Sequence, residues 1–262
     1  MPSGNLPSIM SQVSGSSAAP AVSIVVPVRN EVANIAPLVA EIARALGNEL
    51  SYEVIYVNDG SADDTQAELA RLMASRPWLR QIKHQSPCGQ SAAVHTGVLH
   101  ARAPVIVTLD GDGQNDPAFI RPLLEKLAAG APRVGLVAGQ RVGRKASGFK
   151  KFQSNVANGV RGALLRDGTR DTGCGLKAFR RDLFLALPYF DGLHRFLPAL
   201  VRREGHEIGY LEVVDRPRRA GTSHYGLWDR LWIGILDLFG VWWLIRRRPR
   251  VPHALEVKPN AD

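Results

Sequence analysis

An α/β domain, with a mostly parallel sheet and helices on both faces, is the fold class this sequence predicts. Three observations point to it. From Val22 onward, short apolar runs alternate with amphipathic stretches. The amphipathic stretches carry apolar residues at helical spacing, so each joins two strands as a crossover. Finally, three of the apolar runs end in clusters of polar and acidic residues, where an open α/β sheet presents ligand-binding loops.

In order, Ser23–Val28 (SIVVPV) reads as a buried strand, and Val32, Ile35, Leu38, Val39 and Ile42 follow at helical spacing. Tyr52–Val57 (YEVIYV) is a second strand. It runs into Asn58-Asp59-Gly60 and a helix that Ser61 or Asp63 would cap. Leu79–Lys83 supplies a third strand and Gly89–Ala101 a helix. Pro104–Leu109 (PVIVTL) is the fourth strand, Phe119–Ala129 a helix, and Val134–Ala138 the fifth strand. Beyond Gly139 the regularity weakens. A basic stretch precedes an expected helix over Phe152–Leu165, and Ile208–Val214 reads as an edge strand. Leu227–Ile245 is apolar and aromatic, with Asp229, Arg230 and Asp237 inside it. No internal repeat is present. The expected organisation is a disordered leader over 1–20, a domain over 21–225, an apolar amphipathic segment over 226–250 and a disordered tail over 251–262.

The chain has 262 residues, 45% hydrophobic and 22% charged, which is enough apolar material to bury a full core. Residues 1–20 are rich in Ser, Gly, Pro and Ala and lack the charged-then-apolar pattern of a signal peptide. Cys88 and Cys174 match no metal or redox spacing and read as free thiols in a reducing compartment. A net charge of +9 suits nucleic acid, anionic lipid or phosphorylated small molecules. The basic clusters lie at Arg141–Lys151, Arg202–Arg219 and Arg246–Arg250. The last abuts the Trp-rich segment, which favours an anionic membrane surface over nucleic acid.

The strand ends hold the candidate chemistry: Pro27-Val28-Arg29-Asn30-Glu31, Asn58-Asp59-Gly60-Ser61 and Asp110-Gly111-Asp112-Gly113-Gln114. A single Asp after a strand is commonly a helix cap; three such ends on one sheet edge are harder to explain that way. In extended chain, residues two apart point the same way, roughly 7 Å apart at Cα. Asp110 and Asp112 can therefore face one ligand across a residue with no side chain. Paired carboxylates without His or Cys suit Mg2+ or Mn2+. An Asp/Gly turn is the competing reading of that segment. A calcium loop is excluded, because Asn115-Asp116-Pro117 leads into a helix without the distal glutamate. The chain has no GxxxxGK[ST] loop, no GxGxxG after the first strand and no GxSxG elbow.

The ordered series IVVPVRNE, YVNDGSADDT, LDGDGQNDP, DTGCGLKAFRR and RRAGTSHY resembles glycosyltransferase family 2, in its branch of dolichyl- and undecaprenyl-phosphate sugar transferases. The resemblance covers about Val22 to Tyr225. It implies a GT-A fold, in which a Rossmann-like nucleotide-binding half merges with an acceptor-binding half. Pro27, Asn30 and Glu31 would line the nucleotide pocket, with Asp59 on the base or ribose and Gly111 beside the donor. Asp110 and Asp112 resemble the family's DxD pair, with Asp112 as direct metal ligand and Gln114 assisting. Arg141 and Arg218 resemble arginines that hold donor or acceptor phosphates. Lys145, Ser154 and Ser223 fall on the acceptor side. Val28 replaces the aromatic often found after the first-strand Pro, and His224 replaces the Lys usual in the last motif.

The implied activity is inverting transfer of a sugar from a nucleotide-sugar donor to a polyprenyl phosphate. Such an acceptor is anionic already and needs no general base. Three alternatives stay open. A hydroxyl acceptor would need a base, for which Asp171 is the candidate. A sugar-phosphate nucleotidyltransferase would carry a Gly-rich basic loop where PVRNE stands, and a lipid-binding scaffold would have no need of Asp59, Asp110 and Asp112. Over Leu227–Ile245, three charges argue against a spanning helix. Trp residues with trailing Arg246-Arg247-Arg248 point to a helix lying on anionic lipid at the cytoplasmic face of a membrane. A helix docked on the protein's own core is the other reading.

Overall fold

The computed structural model describes residues 19–142, 161–162, 164–217 and 227–247. The expected tail and most of the expected leader and Phe152–Leu165 helix lie outside them.

Seven strands form one sheet: β1 (Val22–Val28), β2 (Tyr52–Asp59), β3 (Leu79–His84), β4 (Val105–Thr108), β5 (Val134–Arg141), β6 (Lys177–Arg180) and β7 (Glu207–Val213). Their spatial order is β3-β2-β1-β4-β6-β5-β7. All pair in parallel except β6, which runs antiparallel to both β4 and β5. The helices are α1 (Val32–Leu46), α2 (Thr65–Met73), α3 (Gln90–His100), α4 (Ile120–Ala129), α5 (Arg181–Ala186), α6 (Leu193–Arg203) and α7 (Leu227–Arg246); a 3-10 turn over Pro117–Phe119 leads into α4.

The unbroken apolar runs of β1 and β2 follow from cover on both faces. Val22, Ile24, Val26 and Val28 join one core layer with Ile35, Leu38 and Ile42 of α1 and Leu123 and Leu127 of α4. Val25, Ile55 and Val57 point the other way, onto Ala93, Val94 and Val98 of α3 and Leu197 and Leu200 of α6. The expected strands are all present, and β7 lies at an edge as the sequence indicated. Helix α2 starts slightly beyond the expected cap: Asp63 accepts a hydrogen bond from the Thr65 amide (3.1 Å), while Ser61 Oγ is taken by the Asn30 amide.

Three elements go beyond the sequence reading: β6, α5 and α6. The antiparallel course of β6 is what completes the ligand edge. Lys177, its first residue, sits opposite Thr108 of β4 and Ala138 of β5. The loop from Asp171 to Leu176 is thereby delivered to the carboxyl ends of the parallel strands. The chain reverses its direction of travel across the sheet between β1 and β4, so those two ends form the switch-point crevice.

Helix α7 packs Val241, Leu238, Trp242, Leu244 and Ile245 against the α6 side of the core. Arg203 Nε on α6 donates to the Leu244 carbonyl (2.9 Å). Its opposite face leaves Leu236, Phe239 and Trp243 exposed at 70%, 56% and 53%.

Candidate active site

Asp110 leaves β4 and Pro27 and Val28 end β1, so the Asp110–Asp112 turn lies directly over the switch point. Only glycine fits at its centre. A Cβ on Gly111 would come within 2.2 Å of Val28 Cγ1 and 2.8 Å of the Pro27 carbonyl. The incoming loop presses equally close: a Cβ on Gly175 would sit 2.2 Å from the Asp110 carboxylate. Gly111 and Gly175 are therefore packing requirements on either side of the acidic turn.

Within the turn, Asp112 Oδ1 accepts from the Gln114 amide (3.0 Å), and the Asp110 amide donates to Asn115 Oδ1 (3.0 Å). Asp110 Oδ1 accepts from Gln90 Nε2 at the start of α3 (2.9 Å). Burial pushes the Asp110 carboxyl up to about 6, and the Asp112 charge adds to this against the pull of Lys177 and Arg141. Two carboxylates so placed, with their mutual repulsion only partly offset, make a donor set that a hard divalent cation fits.

Lys177 is buried in this edge and donates to the Cys174 carbonyl. Burial lowers its pKa. With Gln90, Asp110, Gly175 and His194 it lines a small pocket under the acidic turn. His194, pushed down to about 3 by burial first and then by Lys177 and Arg195, stays neutral. It shares a 2.6 Å hydrogen bond with the buried Ser91 Oγ, which ties α6 to α3.

At the end of β2 the Asp59 carboxylate is held from three sides. Oδ1 accepts from His84 Nδ1 (2.7 Å) and the Cys88 amide (2.8 Å), and Oδ2 accepts from the Gly89 amide (2.8 Å). Asp59 thus shapes the loop between β3 and α3. Asn30, at φ 56°, accepts from the Ala62 amide through Oδ1 (2.8 Å). Glu31 Oε2 accepts from Asn34 Nδ2 (2.5 Å). Pro27 and Asp59 stand at the carboxyl ends of β1 and β2 and Asn30 and Glu31 in the loop after β1, so the four share one edge of the sheet.

Arg141, at the end of β5, is the hub of the opposite side. Its side chain is 9% exposed. Nε and Nη2 grip both oxygens of Asp171 (Nη2 at 2.8 Å), and Nη1 reaches Asp215 Oδ2 at 3.0 Å. Among the described residues, these partners engage three of the guanidinium's five N–H donors. Burial works against the charge on Asp171, yet the Arg141 bonds hold its carboxyl below the usual range. Lys145, Ser154, Arg218 and Ser223 lie outside the described residues.

Sequence reasoning missed Lys177, His194 and Asp215. Lys177 stood inside a quoted motif, but only the antiparallel strand shows that it faces Asp110. Nothing in VVDRPRR marks Asp215 as a partner of residues 100 and 74 positions earlier.

The glycosyl transferase family 2 model matches residues 23–187. The dodecaprenyl-phosphate galacturonate synthase of Rhizobium johnstonii is 35% identical over 240 residues, covering 88% of this chain and 69% of that protein. The undecaprenyl-phosphate 4-deoxy-4-formamido-L-arabinose transferase of Edwardsiella ictaluri is 32% identical over 209 residues; the match covers 79% of this chain but 63% of that protein, under two thirds of its length. Among solved structures, glucosyl-3-phosphoglycerate synthase from Mycobacterium tuberculosis, in complex with Mn2+, UDP and glucosyl-3-phosphoglycerate, superposes with a TM-score of 0.65. That match has 19% identity and covers 88% of this chain and 81% of that one. At that identity the likeness speaks for the fold, which is GT-A.

Proposed function

The chain belongs to glycosyl transferase family 2, and we propose that within it the protein transfers a sugar from a nucleoside-diphosphate sugar to a polyprenyl phosphate carrier. The two relatives named above carry lipid-phosphate acceptors in their names. One observation of this molecule favours the same acceptor class. Asp171, the carboxylate that a hydroxyl acceptor would need as base, gives both oxygens to Arg141 and has a lowered pKa. A poor base suits a nucleophile that needs none, and a phosphate monoester is ionised at neutral pH.

In this reading an acceptor phosphate oxygen attacks the anomeric carbon opposite the leaving group. The new C–O bond forms as the bond to the diphosphate breaks, the nucleoside diphosphate departs, and configuration inverts. Pro27, Asn30, Glu31 and Asp59 form the nucleotide end, and Gly111 lets the acidic turn pack against Val28 and the Pro27 carbonyl beside it. Asp110 and Asp112, with Gln114, would hold Mg2+ or Mn2+, which supplies charge neutralisation for the departing diphosphate. Arg141 would supply positive charge for a phosphate, and Arg218, Lys145, Ser154 and Ser223 would complete the acceptor side.

The same proposal puts the protein at the cytoplasmic face of a membrane, as a peripheral protein. Among the described residues no helix is long and apolar enough to cross a membrane. Helix α7 offers a different contact, with Leu236, Phe239 and Trp243 exposed together. Arg246 and Arg247 lie 4.2 Å and 5.7 Å over the rings of Trp242 and Trp243. Aromatic and basic residues in this combination fit an anionic interface.

The test is transfer of label from a panel of radiolabelled nucleotide-sugars to undecaprenyl or dolichyl phosphate, with Mn2+ or Mg2+. Organic-phase label that disappears with chelator and with Asp112→Ala is the expected result. A protein that binds a nucleotide-sugar yet labels neither lipid, while labelling a hydroxyl acceptor, would overturn the proposal.

A further inference from the structure

The acidic turn is anchored from the far side of the sheet. Asn115 is 2% exposed, so both ends of its amide need partners. Its oxygen accepts from the Asp110 amide at 3.0 Å, and its nitrogen donates to Asp215 Oδ1 at 3.4 Å. An ionised carboxylate only accepts. Asp215 and the Asp110 N–H together fix which way the Asn115 amide points, since the flipped amide would set its oxygen against the carboxylate and its NH2 against the N–H. The other oxygen of Asp215 accepts from Arg141 Nη1 at 3.0 Å, and Arg141 holds Asp171. The next residue repeats the stitch. The Arg216 amide donates to the Gln114 carbonyl (2.9 Å), and its guanidinium bridges Glu41 and Asp116, each at 2.6 Å.

We propose that Asp215 is a positioning residue for the metal-binding turn: it acts through Asn115 on Asp110 and through Arg141 on the Asp171 loop. This rests on the reading that Asp110 and Asp112 hold a divalent cation. The Asp215 carboxylate bonds to Asn115 and Arg141. It joins the chain leaving β7, which runs on toward Arg218 and Ser223, to the turn that meets the donor diphosphate. The two halves of the site are set against each other by this side chain.

The experiment is a titration of Mn2+ followed by its EPR signal, in the presence of UDP and separately of GDP, on the full chain and on Asp215→Ala, Asp215→Asn, Asn115→Ala and the double alanine variant. Outer partners of metal ligands typically carry about 10–100-fold in metal affinity, and Asp215→Ala is expected to lose that much. Asp215→Asn, which keeps the volume, loses less, and reports on its own if the alanine variant does not fold. Because part of the effect passes through Asn115, Asp215→Ala costs less Mn2+ affinity in the Asn115→Ala background than in the wild type. Transfer kinetics should show the loss mainly in KM for the donor, with kcat changing less. Wild-type binding matched within threefold by both Asp215 variants would overturn the proposal alone, as would losses that multiply in the double variant. A wild type that binds Mn2+ with neither diphosphate would remove the metal reading and the positioning role together.

Discussion

At the scale of single residues, the site is legible where the backbone itself dictates the residue type. Asp110 and Asp112 could be read from their spacing about a glycine after a strand, although the extended chain assumed for them is a turn in the structure, the competing reading of that segment. The structure adds that Gly111 has no room for a side chain. Asp215 and Lys177 could not be read, since their roles depend on which strands become neighbours. Asp110 carries a pH prediction. Its carboxyl is raised to about 6, chiefly by burial, so in the metal-free protein it takes up a proton where an ordinary aspartate, with a pKa near 3.9, would remain ionised. A raised acid pKa favours the protonated native state, so this group makes metal-free protein more stable as pH falls from about 7 toward 4. Metal and proton compete for the same oxygens. Mn2+ affinity should be nearly flat above pH 7 and should weaken by about tenfold per unit well below pH 6. EPR titrations at pH 5, 6 and 7.5 measure this, and equal affinity at all three would show that Asp110 ionises as an ordinary aspartate.

At the scale of elements, β1, β2 and β4 were legible because burial on both faces writes an unbroken apolar run. Helix α6 carries an equally regular signal: Leu193, Phe196, Leu197, Leu200 and Val201 fall at positions 0, 3, 4, 7 and 8 and are all buried. Pro198 inside it reads as a breaker, although the tertiary packing of that face outweighs the lost hydrogen bond. Strand β6 is four residues long, too short for a period to register. Helix α7 docks one face on α6, the reading of a helix packed on the protein's own core, and leaves the other face exposed. Burying one large apolar side chain contributes about 1.5–3 kcal/mol. Phe239→Ser with Trp243→Ser should therefore lower partitioning onto phosphatidylglycerol-containing vesicles by at least about tenfold. Thermal stability should change little, because neither side chain belongs to the docked face. Co-sedimentation measures the partitioning, and undiminished binding would assign the exposed face to some other contact.

At the scale of the whole molecule, the parts that reach the catalytic edge come from distant stretches of chain, and charged side chains hold them in register. Arg141 ends β5, Asp171 lies in the loop before β6, and Asp215 follows β7; their mutual bonds add to the backbone pairing of β5 with β7, where the Val142 amide donates to the Val213 carbonyl (3.0 Å), and tie the Asp171 loop to both. Such a hub couples the integrity of the site to pH. The carboxyl of Asp171 is depressed in the folded chain, where the Arg141 hydrogen bonds outweigh the opposing effect of burial. The stability this contributes is present above the unfolded pKa, near 3.9, and is lost as pH falls through the lower folded value. Asp171→Asn should therefore destabilise the protein at pH 7 by about 1.5–3 kcal/mol, the range for hydrogen bonds to charged groups. Asp215 still pairs with Arg141 in that variant, which keeps the loss below that of an unpaired buried cation. Below about pH 4 the gap between the variant and the wild type should begin to narrow, and it closes only below the depressed folded value, because protonation removes the same charge. Urea unfolding at pH 7, 5 and 3.5 measures the gap. A gap that stays constant down to pH 3.5 would mean that the hub contributes through packing and not through the Asp171 charge.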